Sequence, residues 1–140
     1  MTDGQADVLV VGGELTELAR VRDWARSLLP DLDEDLLVDA LSVVDELTSN
    51  ALRHASAPYR VGLRRSNGRL RIEVADGSTA PATPHTPDHV GGRGLMLVEA
   101  FSLAWNQELH PDGKIVWAEL ELFAASPAPE REPAGAPAFG

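Results

Sequence analysis

The sequence predicts an α+β protein, a two-layer sandwich in which about three helices cover one face of a mostly antiparallel, mixed β-sheet. Three observations carry this: one long stretch of helical periodicity, a sharply marked β-hairpin after it, and the order helix, helix, hairpin, loop, helix, hairpin. A chain of 140 residues with 44% hydrophobic content supports one ordinary core and hardly two. We therefore expect one domain over residues 1–123.

The chain begins with a short apolar run, Val8 to Val11, followed by a helical pattern from about Glu14 to Leu29 with Leu15, Leu18, Ala25, Leu28 and Leu29 at helical spacing. Pro30 stops it. A second helix is expected from Asp33 or Asp35, acids suited to a helix N-terminus, to His54, with Leu37, Ala40, Leu41, Val44, Leu47 and Ala51 as its apolar stripe. Two strands follow, since Tyr59, Val61 and Leu63 alternate with polar or small residues, as do Leu70, Ile72 and Val74. Asn67-Gly68 between them is a strong hairpin signal.

From Ser78 to Gly92 the chain turns irregular, because Pro81, Pro84 and Pro87 exclude a regular helix or central strand. A loop of this length inside a small domain usually has a function. Leu95 to Phe101 is apolar enough for a short buried helix. Leu103 to Leu109 and Ile115 to Phe123 read as two further strands joined around His110-Pro111-Asp112-Gly113. In the last of them Val116, Ala118, Leu120 and Leu122 alternate with Ile115, Trp117, Glu119 and Glu121. Residues 124–140 are dominated by Ala, Pro and Gly and cannot bury enough apolar surface to offset their ordering entropy, so a disordered tail is expected.

Composition excludes several classes. With no cysteine, neither a disulfide framework nor a thiolate metal site is possible. The net charge of −10 argues against general nucleic-acid binding, which rests on cations meeting phosphates. The first residues lack the basic start and longer apolar core of a signal peptide, and no segment is long enough to span a membrane, so a cytoplasmic placement is expected. Acids gather between Asp31 and Glu46 while Arg53, Arg60, Arg64, Arg65, Arg69 and Arg71 crowd the next stretch, which predicts an acidic side and a basic side. These are either two solvated surfaces or a docking surface for an oppositely charged protein.

Three stations could carry chemistry. Glu46, Asn50 and His54 stand at successive i,i+4 positions, roughly 100 to 140° from the centre of the apolar stripe for Glu46 and Asn50, which makes them either a solvated flank or the wall of a cleft. Asp76 continues the alternation of Leu70, Ile72 and Val74 and therefore aims a carboxylate inward. It either caps its own turn through Gly77 and Ser78 or accepts a hydrogen bond from a ligand. Gly91-Gly92-Arg93-Gly94 precedes the apolar helix, where it serves as a hinge or as a phosphate-binding helix start. It is neither a P-loop nor a dinucleotide fingerprint. His54, His85, His89 and His110 show no metal-ligand spacing, and no GxSxG stands around Ser49, Ser66 or Ser102. Trp24, Trp105 and Trp117 read as core or interface residues, for no basic stripe accompanies them.

With these stations in place the chain resembles the Bergerat, or GHKL, histidine-kinase-like ATPase fold, and most closely its small single-domain branch of bacterial anti-sigma factors that are serine-protein kinases. The likeness covers roughly residues 8 to 123. Glu46-x-x-x-Asn50 resembles the N box, Asp76-Gly77-Ser78 the first glycine box and Gly92-Arg93-Gly94 the second, with a lid-like loop at about 78–92 between them. The resemblance implies that Glu46 is the general base toward the attacking hydroxyl and that Asn50 coordinates Mg²⁺. It implies further that Asp76, with Gly77 and Ser78, binds the adenine amino group and that Gly92, Arg93, Gly94 and Leu95 meet the phosphates of ATP. Two departures bear on ATP affinity: Ser78 stands where the family usually has glycine, and Ile115 where a threonine often supports adenine. The lid also carries no basic residue between Ser78 and Gly91.

The function so implied is that of an ATP-dependent serine-protein kinase and anti-sigma factor. Its partners would be a sigma factor and a STAS-type anti-anti-sigma protein whose serine is phosphorylated, and it would commonly be a homodimer. A competing reading keeps the fold and drops the chemistry, leaving a protein-binding regulator.

Overall fold

The computed structural model describes residues 6–82 and 93–122, the second stretch with side chains from Met96 onward. Gly91 and Gly92, most of the proline-rich loop and the Ala/Pro-rich tail lie outside the described residues. The elements are β1 Ala6–Val11, α1 Glu17–Leu28, α2 Glu34–His54, β2 Tyr59–Ser66, β3 Arg69–Asp76, α3 Arg93–Phe101, β4 Ala104–His110 and β5 Gly113–Glu121. The expected two-layer α+β arrangement is present, and every strand pairing is antiparallel, in the order β1-β2-β3-β5-β4.

α2 forms where its sequence signals lie. Asp33 is the N-cap and accepts a hydrogen bond from the Leu36 N–H at 2.9 Å, Glu34 and Asp35 occupy the first turn, and Arg53 and His54 the last, each matching the helix dipole. Its buried face is wider than the expected stripe, since Val43, Thr48 and Ser49 are buried beside Ala40, Leu41, Val44, Leu47 and Ala51. The β2–β3 hairpin turns at Asn67 and Gly68, with φ of 56° and 75°, a type I′ turn whose twist suits the flanking strands. On the inner face of the sheet Val61, Leu63, Leu70, Ile72, Val74, Ala118 and Leu120 pack against the helices.

Two helices differ from their expected bounds. α1 starts at Glu17 rather than Glu14, because the Glu17 carboxylate turns back to accept from the Gly12 N–H at 2.9 Å and so ends the preceding turn; Leu15 is left exposed. α3 starts at Arg93, two residues before Leu95, and Gly94 thus lies in its first turn, where donors have no intrahelical partner.

The outer face of the sheet is not uniformly basic. The Arg71 guanidinium lies 4.2 Å from the Trp117 ring centre and within ion-pair reach of Glu73, Glu108 and Glu119, while Arg65, on the helix side of β2 with Val61 and Leu63, pairs with Asp31. The expected division into acidic and basic sides is thus partly neutralised within the molecule. Trp24 and Trp105 pack on the core, whereas Trp117 sits beneath Arg71. Among the described residues no helix is long and apolar enough to cross a membrane.

The feature that positions the site is the break in strand order. The chain leaves β3 at Asp76, runs through the loop and α3, pairs at the far edge as β4, and returns as β5 between them. The end of β3 therefore meets the start of β5, with Asp76 opposite Lys114, and the C-terminal half of α2 lies over that junction.

Candidate functional site

A cavity of about 180 Å³ opens at this junction. α2 contributes Leu47, Asn50, Ala51 and His54, β3 contributes Val74 and Asp76, β5 contributes Lys114 and Val116, and Ala80, Pro81 and Ala82 close one side. Apolar walls with a few converging polar groups are the usual make-up of a small-molecule site.

Asp76 is inward, as the alternation along β3 requires, with its side chain only 1% exposed. One oxygen, Oδ1, accepts from the Ser78 N–H at 2.8 Å and from the Lys114 ammonium at 3.1 Å. The other, Oδ2, is 3.0 Å from Lys114 Nζ but off its hydrogen-bond directions, and it accepts no hydrogen bond among the described residues. The two alternatives read from the sequence are therefore compatible: one oxygen caps the turn and the other is left for a donor. The ammonium balances the charge of Oδ2, while the hydrogen-bond capacity of that oxygen is left for a directed donor.

The row on α2 divides on inspection. Asn50 and His54 line the cavity, and among the described residues the Asn50 carboxamide has no hydrogen-bond partner. Glu46 is one helical turn, about 6 Å, closer to the N-terminus and outside the lining. Half-buried, its carboxyl is pushed above the ordinary carboxylate range first by that burial and next by the charge of Asp45, with Arg53 opposing. Asp45 itself pairs with Arg22 of α1 at 2.6 Å, which holds the two helices together beside Glu46.

Two glycines let the backbone close around Asp76. A Cβ on Gly77 would lie 2.2 Å from the Ala57 carbonyl oxygen, and the Gly77 N–H donates to the Ser56 carbonyl at 2.6 Å, binding the end of β3 to the loop after α2. A Cβ on Gly113 would lie 2.2 Å from the Asp76 carbonyl oxygen. Glycine is thus required at both positions by close approach. Ser78 continues the turn by accepting from the Ala80 N–H at 3.1 Å. Beyond it, the Gln107 carboxamide pairs with Ala82 like a short piece of strand, accepting from its N–H at 2.7 Å and donating to its carbonyl at 2.9 Å. This fixes Ala80 to Ala82 against the cavity.

Of the glycine-rich run, Gly92 lies outside the described residues, while Arg93, Gly94 and Leu95 form the first turn of α3. Two participants escaped the sequence reading. Lys114 faces inward because the period of Val116, Ala118 and Leu120 extends back to it, and that alternation was the signal that could have found it. Ile115 points to the opposite face, opposite Ala75 and outside the cavity lining, so the residues of β5 that line the cavity are Lys114 and Val116 instead. Gln107 carried no signal, for it is one polar residue on an edge strand.

Residues 12–120 match the model of a family described as the histidine kinase-like ATPase domain. The chain is similar in structure to the RsbU and RsbW domains of Rv1364c from Mycobacterium tuberculosis, with a TM-score of 0.66 at 17% identity over 84% of this chain and 32% of that one. It is also similar to the Acinetobacter baumannii histidine kinase AdeS, with a TM-score of 0.50 at 10% identity over 84% of this chain and 68% of that one. At such identities the likeness is one of fold. The chain spans about a third of the length of the first of these structures. No curated protein matches it.

Proposed function

The chain belongs to the histidine kinase-like ATPase domain family, and from that premise we propose that it is a serine-protein kinase that binds Mg·ATP at the α2–β3–β5 cavity and restrains a sigma factor. The observation that carries the nucleotide reading is Asp76, an inward carboxylate with one buried oxygen free of hydrogen bonds at the wall of that cavity. The 6-amino group of adenine is a donor that Oδ2, ion-paired with Lys114, still has lone-pair capacity to accept. A volume of about 180 Å³ suits the base end of the ligand rather than a whole nucleotide, leaving sugar and phosphates to extend past Asn50.

Asn50 would hold Mg²⁺, which would supply positive charge to offset that of the phosphates. Asn50 fits it, since a hard cation takes oxygen ligands and this carboxamide is unengaged among the described residues. Magnesium commonly rests on one or two protein oxygens plus phosphates, so the lack of a three-carboxylate cluster among the described residues is no obstacle. The N–H groups of the first turn of α3, which includes Arg93, Gly94 and Leu95, are suited to phosphate. Glu46 has the features of a general base: its carboxyl binds a proton more readily than an ordinary one, and no hydrogen bond or ion pair engages it among the described residues. It would accept the proton of a serine hydroxyl as that oxygen attacks the γ-phosphate.

The partners are proposed on the RsbW likeness: a sigma factor, and a STAS-type protein that presents the serine, with a second copy of this chain as the homodimer mate. Calorimetry with Mg·ATP and phosphotransfer to a STAS partner recovered from the native cell test the reading together. Glu46→Ala should reduce transfer by on the order of a hundredfold or more while ATP binding changes little. Undiminished transfer would remove Glu46 from its role. Absence of ATP binding by the unmodified protein, with a sigma factor still captured, would replace the kinase by a simple binder.

A further inference from the structure

Lys114 is the one buried lysine among the described residues, its side chain 4% exposed, and it faces the cavity directly opposite Asp76. An ammonium has three N–H donors. Asp76 engages it on one side, Oδ1 accepting at 3.1 Å and Oδ2 lying 3.0 Å away, which leaves at least one N–H of the ammonium without an acceptor among the described residues. Beside it lies Oδ2, ion-paired with the ammonium at 3.0 Å but accepting no directed hydrogen bond. Both residues line the cavity, so its wall carries an ammonium donor and a carboxylate acceptor side by side. A buried ion pair adds little stability over apolar residues of similar size, so the fold alone gives weak reason to place one here.

We propose that Lys114 reads the purine directly, donating to ring nitrogen N1 of adenine while Asp76 accepts from the neighbouring 6-amino group. Resting on the ATP reading above, it assigns base recognition to a residue pair instead of to Asp76 alone. The chemistry matches atom for atom: the adenine edge carries a donor next to an acceptor, and the wall carries the complement. Guanine also has adjacent donor and acceptor groups, N1–H and O6, in the opposite sense along the ring. Nucleotides altered at single atoms separate these cases.

The experiment is a calorimetric titration of the unmodified protein with the Mg²⁺ complexes of ATP, 1-deaza-ATP, purine riboside triphosphate and GTP. The first two are then titrated into the Lys114→Met variant. In the unmodified protein 1-deaza-ATP, whose N1 is a carbon, should bind at least about tenfold more weakly than ATP, the loss typical of a charge-assisted hydrogen bond. In Lys114→Met the two ligands should bind within about twofold of each other. Equal binding of ATP and 1-deaza-ATP by the unmodified protein would overturn the proposal whatever the variant does, as would GTP binding more tightly than ATP. In that event a weaker purine riboside triphosphate, which lacks the 6-amino group, would keep Asp76 in its role. If ATP itself does not bind, the nucleotide reading falls, and this proposal with it.

Discussion

Two carboxylates stand at the site, Asp76 in the cavity wall and Glu46 one helical turn outside it, and their surroundings differ in kind. Asp76 is enclosed by a turn N–H, a buried ammonium and two close-packed glycine backbones. Glu46 is half-exposed on a helix flank, raised in pKa by burial and a like-charged neighbour, and its carboxyl is engaged by no hydrogen bond among the described residues. Selecting a base requires groups that cannot rearrange to suit the wrong one, whereas accepting a proton requires a group not already committed elsewhere. The locked carboxylate has the surroundings for the first task and the uncommitted one for the second.

The contrast predicts that damage on the enclosed side costs stability and damage on the open side does not. The largest effect belongs to Asp76→Asn, which leaves the Lys114 ammonium buried without a counter-charge and should cost about 3 kcal/mol or more in urea unfolding. The double variant Asp76→Asn with Lys114→Met should recover most of that loss, since it removes the stranded charge. A single variant costing under about 1 kcal/mol would mean that water reaches the pair. Next comes Gly77→Ala, whose Cβ would meet the Ala57 carbonyl at 2.2 Å. Forced repacking of this kind costs about 1–3 kcal/mol, read as a lowered Tm. Because Gly77 also ties β3 to the loop after α2, ATP affinity should fall in the same variant. A smaller effect is expected from Gln107→Ala. It removes both hydrogen bonds to Ala82, together about 1–2 kcal/mol of local stability. Hydrogen exchange at the Ala82 amide should quicken by about tenfold while the urea midpoint moves little, and an unchanged exchange rate would show that Gln107 does not hold this segment.

What the sequence could disclose follows the same division. Period-two alternation pointed Asp76 inward, and Asn67-Gly68 marked the hairpin, because both depend on residues adjacent in the chain. The strand order β3-β5-β4 could not be read that way, since it depends on which strand fills the gap left by the loop and α3. The alternation of Val116, Ala118 and Leu120 points Lys114 inward, but what it meets there stayed hidden for this reason. Its place is set by pairing with Asp76, 38 residues away, and its charge marks it as a surface residue until that pairing is known. Glu46 and Asn50 were legible as a row but not as different tools, because helix geometry shows that both share a flank and not that only Asn50 reaches the cavity.

The open side gives the smallest and most telling stability prediction. Glu46→Gln keeps the shape of the side chain and removes its charge. The folded pKa of Glu46 is raised above the ordinary value of 4.5, so the folded state holds this proton more tightly than the unfolded one. Below pH 4.5 the group is protonated in both states and costs nothing. As pH rises through the raised folded pKa, ionisation is harder in the folded state than in the unfolded one, and stability is lost. Glu46→Gln, which cannot ionise, should therefore leave Tm unchanged at pH 4 and raise it slightly at pH 7, while serine phosphorylation disappears. The direction separates two views of the residue: a surface acid that helped hold the fold would lower Tm at pH 7 when neutralised, whereas an acid kept in an unfavourable place raises it. A rise in Tm together with lost transfer would identify Glu46 as a carboxylate retained for its reactivity at a cost in stability.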